Sequence, residues 1–151
     1  MKAEDKSLLV KAICGYLPYN HLRLDIAGGD MDCLGYAHGK LIVANHLMSV
    51  STGVEPELAK PYLRPLSSMT DKEKEELIEC LRLGEYAKYF KVEKDGGIET
   101  SNINDLHYVY FGTKTTSKYT DWLNEHCFDY RGLIEKGLAL PAPEGMYDFK
   151  E

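Results

Sequence analysis

Leu22-Arg23-Leu24-Asp25-Ile26-Ala27-Gly28-Gly29-Asp30-Met31-Asp32-Cys33-Leu34-Gly35-Tyr36-Ala37-His38-Gly39-Lys40-Leu41-Ile42-Val43-Ala44 is the stretch that decides the fold. Leu22, Leu24 and Ile26 alternate with Arg23 and Asp25, the period-two pattern of a half-buried strand. Gly28-Gly29-Asp30 reads as a turn, Met31 to Tyr36 as a second strand, His38-Gly39 as a second turn and Lys40 to Ala44 as a third strand. Short glycine turns between such segments predict an antiparallel meander over about 20–46.

On the N-terminal side, Leu8, Leu9, Ala12, Ile13 and Tyr16 recur at helical spacing, so 3–16 reads as an amphipathic helix that Pro18 stops. On the other side, 51–61 reads as a polar loop. Lys60-Pro61-Tyr62-Leu63-Arg64-Pro65 must be extended, because each proline pushes its predecessor out of the α region. Thr70-Asp71-Lys72-Glu73 fits a capping box that opens a helix running to about Leu83, with Leu77, Ile78 and Leu81 inside. Lys94-Asp95-Gly96-Gly97 is a turn, and Leu106 to Phe111 a strand rich in aromatic and β-branched residues. Thr116 or Ser117 can cap a helix over about 118–126 that carries Trp122. Asp129 can cap a shorter one over 130–136, stopped by Gly137 in a left-handed conformation. The expected architecture is α+β: a small antiparallel sheet, the meander plus the strand at about 106–111, packed against about four helices. A chain of 151 residues is expected to form a single domain over 1–151, with 146–151 as a partly ordered tail.

Charge and cysteines narrow the function. The formal net charge is −6. Residues 1–69 carry 7 basic and 7 acidic groups, so the whole excess lies in 70–151. An acidic half repels phosphate, which disfavours nucleic acid as a partner, although Lys60, Tyr62 and Arg64 form a small basic-aromatic group. Cys14, Cys33, Cys80 and Cys127 form no CxxC pair, and three sit in apolar settings, as buried thiols of a reducing compartment do. The charged opening Met1-Lys2-Ala3-Glu4-Asp5-Lys6 is unlike a signal peptide, and no apolar run reaches the roughly 20 residues of a membrane span. The expected location is cytoplasmic, with no membrane partner.

Motifs for chemistry are sparse. His21, His38, His46, His107 and His126 show no HxH or HExxH spacing, so nothing fixes two metal ligands on one face. Gly28-Gly29 and Gly96-Gly97 match no phosphate-binding loop, and no GxSxG occurs. Neither a cofactor nor a catalytic residue is assigned. Cys127 follows His126 directly, and adjacent helical residues diverge by about 100°, too far to pair. Eleven tyrosines against four phenylalanines favour interaction surfaces, since a phenol buries area and keeps a polar tip. Tyr62 and Arg64, on one face of an extended segment, and Tyr86, Tyr89, Tyr108 and Tyr110 are the candidate binding residues.

Two segments carry a resemblance. Lys60-Pro61-Tyr62-Leu63-Arg64-Pro65-Leu66-Ser67-Ser68-Met69-Thr70 is one; Asp121-Trp122-Leu123-Asn124 with Phe128-Asp129-Tyr130-Arg131-Gly132-Leu133-Ile134-Glu135-Lys136-Gly137-Leu138-Ala139 is the other. Together, about a quarter of the chain, they resemble small proteins of gut Bacteroidetes genomes and their phages or mobile elements. Leu17-Pro18-Tyr19 after a helix is similar to that group too. No activity is attached to the family, so the resemblance carries over no functional residue; it implies a small cytoplasmic protein in a phage or mobile-element setting. The expectation is a non-enzymatic accessory protein that binds another protein, with a homo-oligomer left open. Two alternatives stand beside it: a small hydrolase with a His/Asp site near 21–46, and nucleic-acid interaction through Lys60, Tyr62 and Arg64.

Overall fold

The computed structural model describes residues 1–19, 22–45, 50–81, 90–94, 98–100 and 113–147. Along the chain run helix α1 (Ala3–Tyr16), strands β1 (Arg23–Ile26), β2 (Gly29–Ala37), β3 (Lys40–Ala44), β4 (Ser51–Val54) and β5 (Ala59–Leu63), and helix α2 (Asp71–Cys80). Strands β6 (Phe90–Val92) and β7 (Ile98–Thr100), helix α3 (Thr113–Glu125) and strand β8 (Leu140–Pro141) follow. The chain divides into two compact units, one of Met1–Arg64 with Arg131–Glu151, the other of Pro65–Tyr130. No helix among the described residues is long and apolar enough to cross a membrane.

The first unit holds α1 and a six-stranded sheet in the order β4-β3-β2-β1-β5-β8. Neighbouring strands are antiparallel except β5 and β8, which run parallel. Two-residue loops close the first two hairpins: Ala27-Gly28 between Ile26 and Gly29, and His38-Gly39 between Ala37 and Lys40. All four loop residues have positive φ, between 53° and 81°. Such loops form the type I′ turn, whose twist matches that of the flanking strands. The first turn therefore sits one residue earlier than the glycine pair suggests, and Gly29 and Asp30 open β2. Alternation then buries Leu24, Leu41, Val43 and Leu63 completely on one face of the sheet, with Leu22, Cys33 and Ala59 also buried. Each such leucine contributes roughly 1.5–3 kcal/mol of hydrophobic stabilisation. Helix α1 buries Leu9, Ala12, Ile13 and Tyr16 of the stripe its spacing predicts and leaves Leu8 half-buried. Lys6 pairs with Glu57 in the Pro56–Leu58 turn, which ties α1 to the segment that leads into β5.

Burial pushes the Cys33 thiol up to about 11 and raises that of Cys14 as well. At pH 8 a disulfide reagent is expected to label exposed Cys14 in the folded protein and to spare buried Cys33 and Cys127 until denaturant is added. The folded state holds the Cys33 proton more tightly than an ordinary thiol at 9.0 does. The stability it supplies is complete below pH 9 and is lost as pH rises toward about 11. Stability of a Cys33→Ala variant, measured by urea melts, should fall less steeply over that window; parallel curves contradict the assignment.

In the second unit the capping box forms as the sequence predicts. The Glu73 N–H donates to Thr70 Oγ1 at 3.2 Å, and the Thr70 N–H donates to Glu73 Oε2 at 2.9 Å. A core gathers Met69, Leu77, Val92, Trp122, Leu123 and Phe128. Helix α3 ends in a Schellman motif: the Phe128 N–H donates to the Leu123 carbonyl at 3.0 Å and the Cys127 N–H to that of Asn124 at 3.1 Å. Cys127, at φ 56°, takes the left-handed position where glycine is usual. Strands β6 and β7 pair antiparallel, Val92 opposite Ile98.

Several expectations are corrected. The sheet has six strands rather than a three-stranded meander joined by one near 106–111, and that last segment lies outside the described residues. Three α-helices occur among the described residues, not about four. Residues 130–136 form turns, because Gly132 and Gly137, at φ 70° and 69°, bracket too few residues for more than a single helical turn. Gly137 is left-handed as expected but closes a turn instead of a helix, with the Leu138 N–H donating to the Leu133 carbonyl at 2.9 Å. Helix α3 starts at Thr113, so Thr116 and Ser117 lie inside it rather than capping it. The stretch 51–61, expected as a loop, supplies β4 and the start of β5. Pro61 is tolerated in β5 because its missing N–H points away from β1, toward the side where β8 pairs only from Tyr62 onward.

Candidate functional site

The strand registers assemble one polar surface on the sheet. Arg23 lies opposite Asp32 and Asp25 opposite Asp30 across β1 and β2, while Asp25 lies opposite Lys60 across β1 and β5. Directly opposed residues share a face, and so do alternate residues of one strand. Arg23, Asp25, Asp30, Asp32, Lys60 and Tyr62 therefore share the face that Leu24 does not. The Arg23 guanidinium grips Asp30 with two nitrogens, Nε to Oδ1 at 3.0 Å and Nη2 to Oδ2. Its Nε also lies 3.2 Å from Asp32 Oδ1. Such a two-pronged pair fixes geometry, but with side chains a quarter to two-fifths exposed it adds only about 0–1 kcal/mol of stability. Like charges directly opposed across a ladder repel, so the grip on Asp30 also relieves its conflict with Asp25.

Tyr62 is half-buried beside these groups. Burial, then the Asp25 and Asp30 carboxylates, hold its phenol above the ordinary range, and Arg23 opposes them. The hydroxyl stays protonated at neutral pH, a neutral donor and acceptor and not a phenolate base. Its backbone is fixed from below. One more step of the β1–β5 register sets Arg23 against Tyr62, and there the buried Tyr147 hydroxyl bridges the ladder. It accepts from the Arg23 N–H at 3.0 Å and donates to the Tyr62 carbonyl at 2.8 Å. Removing that hydroxyl strands two backbone groups. Tyr147→Phe is expected to cost about 1–3 kcal/mol in a urea melt and to speed amide exchange at Arg23. An unchanged Arg23 exchange rate contradicts the bridge.

Of the residues singled out in the sequence, Tyr62 lies on this surface. Arg64, at the end of the same extended segment, is half-buried and engaged in interactions of its own. Tyr86, Tyr89, Tyr108 and Tyr110 lie outside the described residues, as do His21, His46 and His107. His38 is exposed in the β2–β3 turn, six residues along the chain from Asp32. At roughly 3.3 Å per residue that is about 20 Å, so His38 and the carboxylates form no shared centre. His126 Nδ1 lies 2.9 Å from the Trp122 carbonyl, and its ring stacks on the indole with centroids 4.0 Å apart. That placement ties the ring to Trp122, one helical turn back. Among the described residues no group of three His, Cys, Asp or Glu side chains is arranged to hold a metal ion. The sequence reading missed Tyr147, and it missed the grouping of Asp30 and Asp32 around Arg23. The offset of the first turn hid the latter.

No protein-family model matches the chain, and neither a curated protein nor a solved structure matches it.

Proposed function

We propose that this is a non-enzymatic accessory protein of the cytoplasm, in a phage or mobile-element setting, that binds another protein through the polar face around Tyr62. The observation that carries the reading is the way this face is built. Its aromatic ring is half-buried and braced by Tyr147 at the backbone, and the guanidinium beside it is already committed to Asp30 and Asp32. An aromatic ring with a neutral hydroxyl, carried on a braced backbone and flanked by charges, suits a contact that gains area. Proton transfer needs the reverse, a group free to change its charge near neutral pH. A phosphate backbone is a poor fit, because Asp25, Asp30 and Asp32 share the face with Lys60 and Arg23.

Purification from the producing cells, with light scattering on the product, tests the reading. A complex with a second protein is expected from the wild type and from Glu75→Gln on α2, and its loss is expected from Tyr62→Ala. A strict monomer that brings down nothing, or a complex that Tyr62→Ala leaves intact, counts against it. A dimer of the chain alone points to self-association instead.

A further inference from the structure

Resting on that reading, we infer that the occupant of this face is a basic segment of the partner, with a lysine or arginine side chain seated against the Tyr62 ring and paired with Asp25. The charges on the face are unequally committed. Asp30 and Asp32 are both engaged by Arg23. Asp25 makes no ion pair among the described residues, and its charge is instead felt by the Tyr62 phenol. Among the described residues, the carboxylate without an ion pair is thus the one that acts more strongly on the Tyr62 phenol. An aromatic face attracts a cation through its quadrupole, and a neighbouring carboxylate adds directly to that attraction. Three carboxylates against Arg23 and Lys60 leave the face at −1, on a chain whose net charge is −6. An anionic segment meets this balance with the wrong sign. Lys60, exposed and opposite Asp25, competes with an incoming cation.

The competition gives the inference a signature that bulk charge cannot copy. The probe is a penta-lysine peptide titrated at low ionic strength into the full chain, followed by backbone amide shifts. Shifts are expected to concentrate on residues 23–26, 59, 60, 62 and 63. Asp25→Asn should weaken binding by about five- to tenfold and Lys60→Ala should tighten it by a few fold, both effects fading as salt is added. Glu75→Gln and Lys72→Ala on α2 make the same charge changes elsewhere and should move the affinity less than twofold. Equal effects from both pairs of variants, or shifts spread over the acidic half, overturn the inference. If a partner is captured through Tyr62 while the peptide ignores this face, the binding surface stands and its basic occupant falls. If Tyr62→Ala also leaves the partner complex intact, both fall together.

Discussion

Replacing Phe128 by alanine is expected to destabilise the protein by about 3–5 kcal/mol, the range for truncating a fully buried aromatic side chain. Three separate roles meet in this residue. It is fully buried, so truncation leaves a cavity that close-packed neighbours fill only in part. It stacks on Trp122 with ring centroids 5.8 Å apart and planes 13° from parallel. It also follows the left-handed Cys127 in the Schellman motif, where an apolar contact back onto the helix helps hold the turn. Trp122 is the only tryptophan in the chain and only 7% exposed, so its fluorescence reports on this core. A urea melt followed by that signal should show an earlier midpoint with the slope kept, and a loss below about 1 kcal/mol contradicts the packing described.

Leu24→Ala is expected to cost about 2–5 kcal/mol and tests the other unit. Leu24 is fully buried in the second of four residues of β1, between β2 and β5. Its neighbours Arg23 and Asp25 project to the opposite face, so the leucine anchors the strand that carries the candidate site. The control is Asp25→Asn, one residue away and half-buried on the polar face, which should stay within about 0.5 kcal/mol of wild type. Melts followed by circular dichroism decide the matter. Similar costs for both substitutions contradict the assignment of inner and outer faces.

Local signals in the sequence were enough for the elements that local chemistry determines. The alternation of Leu22, Leu24 and Ile26, the His38-Gly39 turn, the Thr70 capping box, the α1 stripe and the left-handed Gly137 each appear where their residues place them. What escaped depends on residues far apart. Strand β8 pairs Leu140 with Tyr62, and the Tyr147 hydroxyl reaches Arg23 and Tyr62 across 124 and 85 positions. No period or turn residue announces such a pairing. Strand β4, Ser-Thr-Gly-Val at the sheet edge, has no buried alternation to give it away. The candidate site was half legible for the same reason. Tyr62 stood out because the prolines around it force an extended chain, whereas its carboxylate neighbours are set by register, and a turn placed one residue late conceals them.

The central claim is that the Tyr62 face is where this protein meets its partner, and a photocrosslinking amino acid at the exposed position of Lys60 tests it most directly. In the producing cells, one discrete protein adduct is predicted from position 60, absent when Tyr62→Ala is added and absent from the same probe at Lys72. Crosslinking that is equal from both positions, or that persists without the Tyr62 ring, would contradict the claim.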